Sequence, residues 1–210
     1  MNTLSCVRAL AVLALLPATS FAVTNGQKDE FPTDVMGWAG GAAPTHVATG
    51  GPDGGPYLLL DASLNLAAYN ADQWAGNYTA AGITAIEADF LNPGTAPLDL
   101  RLVFFSQSFN RTTSTVAIPL PADNQWHHIT FPILPSDLTA VLGSMTAAET
   151  LANTTQFMIR HQTGIPSPGG SPVVAKLGID NIQAVPEPAC TLPALLVLAL
   201  LRRKPAPAAS

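Results

Sequence analysis

Residues 83–105 read ITAIEADFLNPGTAPLDLRLVFF. Over 83–90 the side chains alternate, with Ile86, Ala88 and Phe90 on one face and Glu87 and Asp89 on the other. Over 98–105 the alternation returns, with Leu98, Leu100, Leu102 and Phe104 opposite Asp99, Arg101, Val103 and Phe105. A period of two is the signature of a strand with one buried face. Asn92-Pro93-Gly94-Thr95 between the runs is turn chemistry. The stretch therefore predicts an antiparallel hairpin. If its turn centres near Gly94, Glu87 falls opposite Arg101 and Asp89 opposite Asp99.

Working outward, further strands are expected at 57–60, 64–69, 127–131, 156–161 and 173–182. Short helices are expected at 136–142, with Gly143 beyond the end, and at 146–152. Gly and Pro gather at 37–56 and 164–172, which read as loops. Seven or eight short strands with this punctuation predict an all-β fold, a single antiparallel β-sandwich of jelly-roll type. No internal repeat is visible.

The two ends differ from the middle. Residues 1–22 carry Arg8, an apolar run over 9–16 and the small-residue stretch Ser20-Phe21-Ala22, the parts of a secretory signal peptide cleaved after Ala22. At the other end, Pro186-Glu187-Pro188 is followed by a nearly unbroken apolar run over 189–201 and then by Arg202-Arg203-Lys204. As a helix that run would be short, about 20 Å at ~1.5 Å per residue against a bilayer core of about 30 Å, and Pro193 shortens it further. The order of motif, apolar run and basic stop resembles the PEP-CTERM sorting tail read by exosortases of Gram-negative bacteria. That resemblance implies processing at Pro186, Glu187 and Pro188, export to the cell surface or extracellular matrix, and signal peptidase and exosortase as partners. The organisation is thus 1–22 signal peptide, 23–185 sandwich domain and 186–210 sorting tail.

Between the signals lie five cations (Lys28, Arg101, Arg111, Arg160, Lys176) and thirteen acids, a net charge of −8. Such a domain repels nucleic acid and anionic lipid. Cys6 and Cys190 both fall in the signals. The domain itself can form no disulfide, thiolate metal site or cysteine nucleophile.

Several loose motifs resemble the galactose-binding-like jelly rolls that include many carbohydrate-binding modules. They are Asp29-Glu30-Phe31, Gly37-Trp38, the Gly-rich run into Tyr57, Gln125-Trp126-His127-His128-Ile129-Thr130-Phe131, and Ile179-Asp180-Asn181-Ile182. The resemblance implies a structural calcium held by Asp29 or Glu30, by Asp53 with carbonyls near Gly54, and by Asp180. Read without it, Asp29 and Asp53 are turn residues and Asp180 a solvated strand end. The resemblance also implies glycan binding on a concave face. The candidate contacts are Glu87 and Arg101, with Arg160 from the 156–161 strand, and Trp74 and Tyr78 as stacking platforms; the competing reading is an ordinary solvated face. Trp38 and Trp126 read as caps on the core.

No Gly-x-Ser-x-Gly or His-Glu-x-x-His motif occurs, and His127 and His128 are adjacent on a strand and so face opposite sides. Glu87 and Asp89 form the one carboxylate pair offered for glycosidase chemistry. The favoured role is non-catalytic, a glycan-binding surface protein with exopolysaccharide as partner; the alternatives are a self-associating matrix protein and, behind it, a glycoside-active enzyme.

Overall fold

In the computed structural model residues 22–186 are described; the leader 1–21 and the tail from Glu187 onward, with Glu187 and Pro188 of the expected processing motif, lie outside them. The strands are β1 Lys28–Asp29, β2 Thr45–Val47, β3 Tyr57–Ala62, β4 Ala67–Asn70, β5 Ile83–Leu91, β6 Leu98–Phe105, β7 Arg111–Ser114, β8 Ile118–Leu120, β9 Trp126–Pro132, β10 Leu138–Leu142, β11 Gln156–His161 and β12 Ala175–Pro186. A short helix, α1 Ala147–Ala152, sits between β10 and β11. Sheet one runs β2-β3-β12-β5-β9, with β1 also on β12. Sheet two runs β10-β7-β6-β11-β4, with β8 also on β6. All pairings are antiparallel.

The stretch 83–105 holds the main correction. Both runs are strands with the expected buried faces, but β5 belongs to sheet one and β6 to sheet two. The segment crosses the sandwich and is not a hairpin. Asn92 shapes the crossing: its Oδ1 accepts from the Gly94 amide at 3.0 Å, and its buried Nδ2 donates to the Ala96 carbonyl at 3.0 Å and the Leu120 carbonyl at 3.4 Å. The link between the strands runs from Asn92 to Pro97. At ~3.3 Å per residue it easily bridges sheets packed about 10 Å apart. Ile86, Ala88 and Phe90 thus meet Leu98, Leu100, Leu102 and Phe104 across the core rather than along one sheet.

The pairing register moves accordingly. Glu87 lies beside Gln183 and Thr130, Asp89 beside Asp180 and His128, and Arg101 beside Arg160. The expected Glu87–Arg101 and Asp89–Asp99 neighbours are on opposite sheets.

Residues 136–142 are the second correction. A 3-10 turn at Pro135–Asp137 leads into β10, which pairs with β7. Thr139 and Val141 are β-branched, and a helix of only about two turns is costly to nucleate, so edge pairing wins. The helix expected at 146–152 does form. Thr146 caps it: its Oγ1 accepts from the Glu149 amide at 3.2 Å, and Glu149 Oε2 accepts from the Thr146 amide at 2.8 Å.

The core fills with Leu58, Leu60, Phe90, Phe131, Leu177 and Ile179 from sheet one and Leu98, Leu102, Phe104, Phe157 and Ile159 from sheet two. Each large apolar side chain buried this way stabilises the fold by roughly 1.5–3 kcal/mol. Trp38, Trp74 and Tyr78, from connecting segments, close one end around Phe157 and Phe104, with centroids 5.0–6.4 Å apart. Without a cysteine in the domain, this packing and the ladders hold it. No helix among the described residues is long and apolar enough to cross a membrane.

Candidate functional site

Sheet two buries alternate side chains and presents the rest outward. The outward set includes Tyr69 of β4, Gln156, Met158 and Arg160 of β11, Arg101 and Phe105 of β6, and Arg111 of β7. Tyr69 pairs with Met158, Gln156 with Phe105, and Arg160 with Arg101. The Pro/Gly-rich loop 162–171 rises along this face and walls a cleft of ≈ 540 Å³, within the ~300–1,000 Å³ usual for ligand sites.

Three arginines hold that wall. Arg101 donates to the carbonyls of Gln162, Gly164, Ser114 and Thr115. Arg160 donates to the carbonyls of Ser167 (2.6 Å) and Pro168 (2.9 Å) and to Gln162 Oε1 (2.7 Å). Arg111 lies over the Phe105 ring, 4.8 Å from its centroid, and donates to the Pro168 carbonyl at 3.1 Å. These acceptors are dipoles, not charges. Among the described residues none of the three arginines forms an ion pair with a carboxylate. Burial, and after it the like charges of Arg111 and Arg101, lower the pKa of Arg160 to about 10. Burial lowers Arg101 as well, partly offset by Asp99. His161, at the cleft's inner edge, is lowered by burial, which favours the neutral ring; its Nδ1 accepts from the Asp99 amide at 3.0 Å.

At the rim stands Phe109, 79% exposed. It and Ser108 adopt left-handed backbone, with φ of 62° and 56°. For a bulky residue this conformation costs roughly 1–2 kcal/mol, and strain of this kind collects at binding sites. The chain here bends so that a phenyl ring projects over the cleft instead of entering the core.

The sequence-predicted residues divide. Arg101 and Arg160 do adjoin one another, on sheet two. Glu87 is on the outer face of sheet one, with Thr130 Oγ1 donating to it at 3.2 Å and His128 Nε2 3.7 Å away. Trp74 and Tyr78 are fully buried and cannot stack on a ligand. The Trp74 indole donates to Asp29 at 2.7 Å, and the Tyr78 hydroxyl donates to the Trp74 carbonyl at 2.8 Å. A polar, Gly-containing neighbourhood in sequence here marks an aromatic plug. Trp38 is buried as expected, whereas Trp126 lies half-buried on the outside of sheet one against Tyr57. Tyr69, Gln156, Phe109 and Arg111 are cleft residues that sequence reasoning missed. For Tyr69 the alternation Leu66, Ala68, Asn70 inward was the available signal.

Of the four acids read as calcium ligands, Asp29 stands apart from the others. Asp29 is buried, and its Oδ2 accepts from the indoles of Trp38 and Trp74, each at 2.7 Å. Burial raises its pKa against those hydrogen bonds. Its neighbour Glu30 instead joins Asp53 and Asp180 around a small hollow of ≈ 210 Å³. Among the described residues no group of three or more His, Cys, Asp or Glu stands in metal-holding geometry. Asp180 is pushed up to about 6, chiefly by burial and then by Asp53 and Asp89, against the Asn181 amide that it accepts at 2.7 Å. A larger hollow of ≈ 930 Å³, beside Asp29, Gly37 and Gln73, carries no aromatic side chain.

No family model and no curated protein matches the chain. Solved structures do. A Family 11 carbohydrate-binding module from Clostridium thermocellum, in complex with a beta-1,3-1,4-mixed-linked tetrasaccharide, superposes with a TM-score of 0.52 at 14% identity, covering 79% of this chain and 98% of the module. The Family 11 module of a cellulosomal cellulase of that organism gives 0.51 at 12% identity, with 79% and 97% covered. The fold is shared with carbohydrate-binding modules. An exo-beta-agarase structure gives 0.55 at 13% identity, and there the likeness covers 79% of this chain but spans only 25% of the agarase. At these identities the likeness is one of fold.

Proposed function

We propose that this chain is an exported, non-catalytic glycan-binding module whose ligand lies in the sheet-two cleft. The observation that carries the reading is the cleft itself: an outward sheet face with Tyr69 half-buried in it, Phe109 held exposed over it, and Gln156 and Arg111 as hydrogen-bonding groups. Saccharides offer apolar ring faces and rims of hydroxyls, and this mixture suits both. Family 11 modules, one of them bound to a mixed-linked tetrasaccharide, support the reading by their shared fold. The cleft's chemistry speaks against catalysis. Glycoside hydrolysis commonly uses two carboxylates, and none of the residues lining the cleft is Asp or Glu. Glu87 and Asp89, the pair offered by the sequence, sit on sheet one beside His128, across the sandwich from the cleft.

Export rests on the leader 1–22 and on the tail. The protein would pass the inner membrane, lose its leader after Ala22, and be processed by exosortase at Pro186-Glu187-Pro188 before reaching the cell surface or matrix. Pro186 in β12, the first residue of the motif, pairs with Ile83.

Affinity electrophoresis through gels containing single polysaccharides tests the binding. At least one polysaccharide should retard the protein. Tyr69→Ala and Phe109→Ala should each weaken that retardation by roughly tenfold, the worth of about 1–1.5 kcal/mol of ring contact, while Phe109→Ala leaves thermal stability unchanged or raised. Migration unaffected by every polysaccharide would overturn the proposal.

A further inference from the structure

We propose that the saccharide held in the sheet-two cleft is anionic, bearing carboxylate or sulfate groups; this deepens the glycan-binding reading above and rests on it. Every arginine among the described residues, Arg101, Arg111 and Arg160, is on this one face. The domain as a whole is acidic, with thirteen acids against five cations. Three of those five cations are therefore concentrated where no acid lines the cleft. The acid whose field reaches Arg101 is Asp99, two residues along β6, and it forms no ion pair with it.

Arginines clustered in this way repel one another, and the carbonyls around them supply dipoles without cancelling charge. Burial sharpens the imbalance because the cluster is partly removed from water. A structural role alone leaves two features unexplained. The Nε atoms of Arg111 and Arg160 are buried without any acceptor, and orphaned donors of this kind are costly. Arg111 also uses only one N–H on the protein, toward Pro168, while Phe105 holds its guanidinium plane in place. A pre-oriented guanidinium fork with free donors matches the two oxygens of a carboxylate or sulfate. A neutral sugar would satisfy donors but leave the charge uncompensated.

The domain's overall negative charge makes the proposal exacting. Non-specific attraction cannot draw a polyanion to a domain of net charge −8. Binding has to come from this local patch.

The test runs the purified protein against polygalacturonate, a sulfated galactan, a mixed-linkage β-glucan and agarose, with duplex DNA as a polyanion control. The expected result is retardation by the carboxylated or the sulfated polymer about tenfold stronger than by either neutral one, as one charge-assisted contact supplies, and none by DNA. Raising salt from about 0.05 to about 0.5 M should weaken it markedly as screening shortens. Which anionic polymer binds separates carboxylate from sulfate. Arg111→Gln should remove the preference, and Arg111→Lys should keep part of it. The wild-type panel decides the matter even if a variant fails to fold. Equal or stronger binding of a neutral polymer would overturn this inference and leave the glycan-binding reading standing. Retardation by DNA equal to that by the anionic saccharides would overturn it as well. Binding of nothing would overturn both.

Discussion

Replacing Asp180 by Asn should stabilise this protein at neutral pH and leave it unchanged in acid. Asp180 is 3% exposed, faces Asp53 and Asp89, and holds its proton up to about pH 6, against 3.8 for an ordinary aspartate. Between those two values the folded state binds a proton that the unfolded chain has released. Stability contributed by this group is therefore lost as pH rises from about 4 to about 6, and stays lost above. A rise from 3.8 to about 6 is worth at most about 3 kcal/mol at pH 7, at ~1.4 kcal/mol per pH unit, and solvent in the adjoining hollow screens part of it. Asn is the same shape, and its Oδ1 can still accept the Asn181 amide that Asp180 now accepts. The substitution removes the charge and keeps the hydrogen bond. For a domain of this size, 2–3 kcal/mol is a rise in Tm of roughly 5–10 °C. Thermal or urea unfolding of the two proteins at pH 4, 5, 6 and 7 reads the effect, with curves that converge at pH 4 and separate toward pH 7. Each measurement is run with calcium and with EDTA. If Asp180→Asn is no more stable at pH 7, the burial argument is wrong. If it is less stable, and calcium stabilises only the wild type, the carboxylate is a cation ligand shared with Glu30 and Asp53.

Two further substitutions test the packing. Asp29→Ala leaves the indole N–H groups of Trp38 and Trp74 buried without an acceptor, a loss of roughly 2–6 kcal/mol at ~1–3 kcal/mol per orphaned donor; Asp29→Asn keeps an acceptor, and urea unfolding should place it between Ala and wild type. Gly178→Ala puts a methyl group 3.0 Å from Leu91 Cβ and 3.1 Å from Trp126 Cη2, so it should cost about 1–3 kcal/mol and alter Trp126 fluorescence; a neutral result would show that the Tyr57–Trp126 pair moves freely over that strand.

Much of the sandwich is legible from side-chain periodicity. The strand at 156–161 is β11 residue for residue, and the runs at 57–60, 127–131 and 173–182 differ from β3, β9 and β12 only at their ends. Alternation reports which face of a strand is buried. It carries no information on the strand that lies alongside. Residues 83–105 illustrate the gap, because Ile86 and Leu102 are equally buried whether their strands pair or face each other across the core. The choice depended on Asn92 and a link long enough to cross. Strands as short as β7 and β8 were missed because Arg111–Ser114 and Ile118–Leu120 complete too few alternations to stand out.

The site was less legible. The sequence offers Arg101 and Arg160 as candidates, but their partnership with Arg111 needs β6 to lie between β7 and β11. Trp74 and Tyr78 looked exposed because Gly76 and Asn77 surround them, yet both rings turn inward around Asp29 and Phe157. Local polarity is a poor guide to the direction of a ring in a loop, since the core takes an aromatic from any segment that reaches it. The sequence alone determined an all-β chain, its buried faces, its negative charge and the absence of cysteine from its domain, because these depend on composition and a two-residue period. Only the tertiary structure decided that three arginines spread over 59 positions in sequence, from Arg101 to Arg160, share one face, and that no acid lines the cleft beside them, because sheet order is set by long-range pairing that no local pattern records.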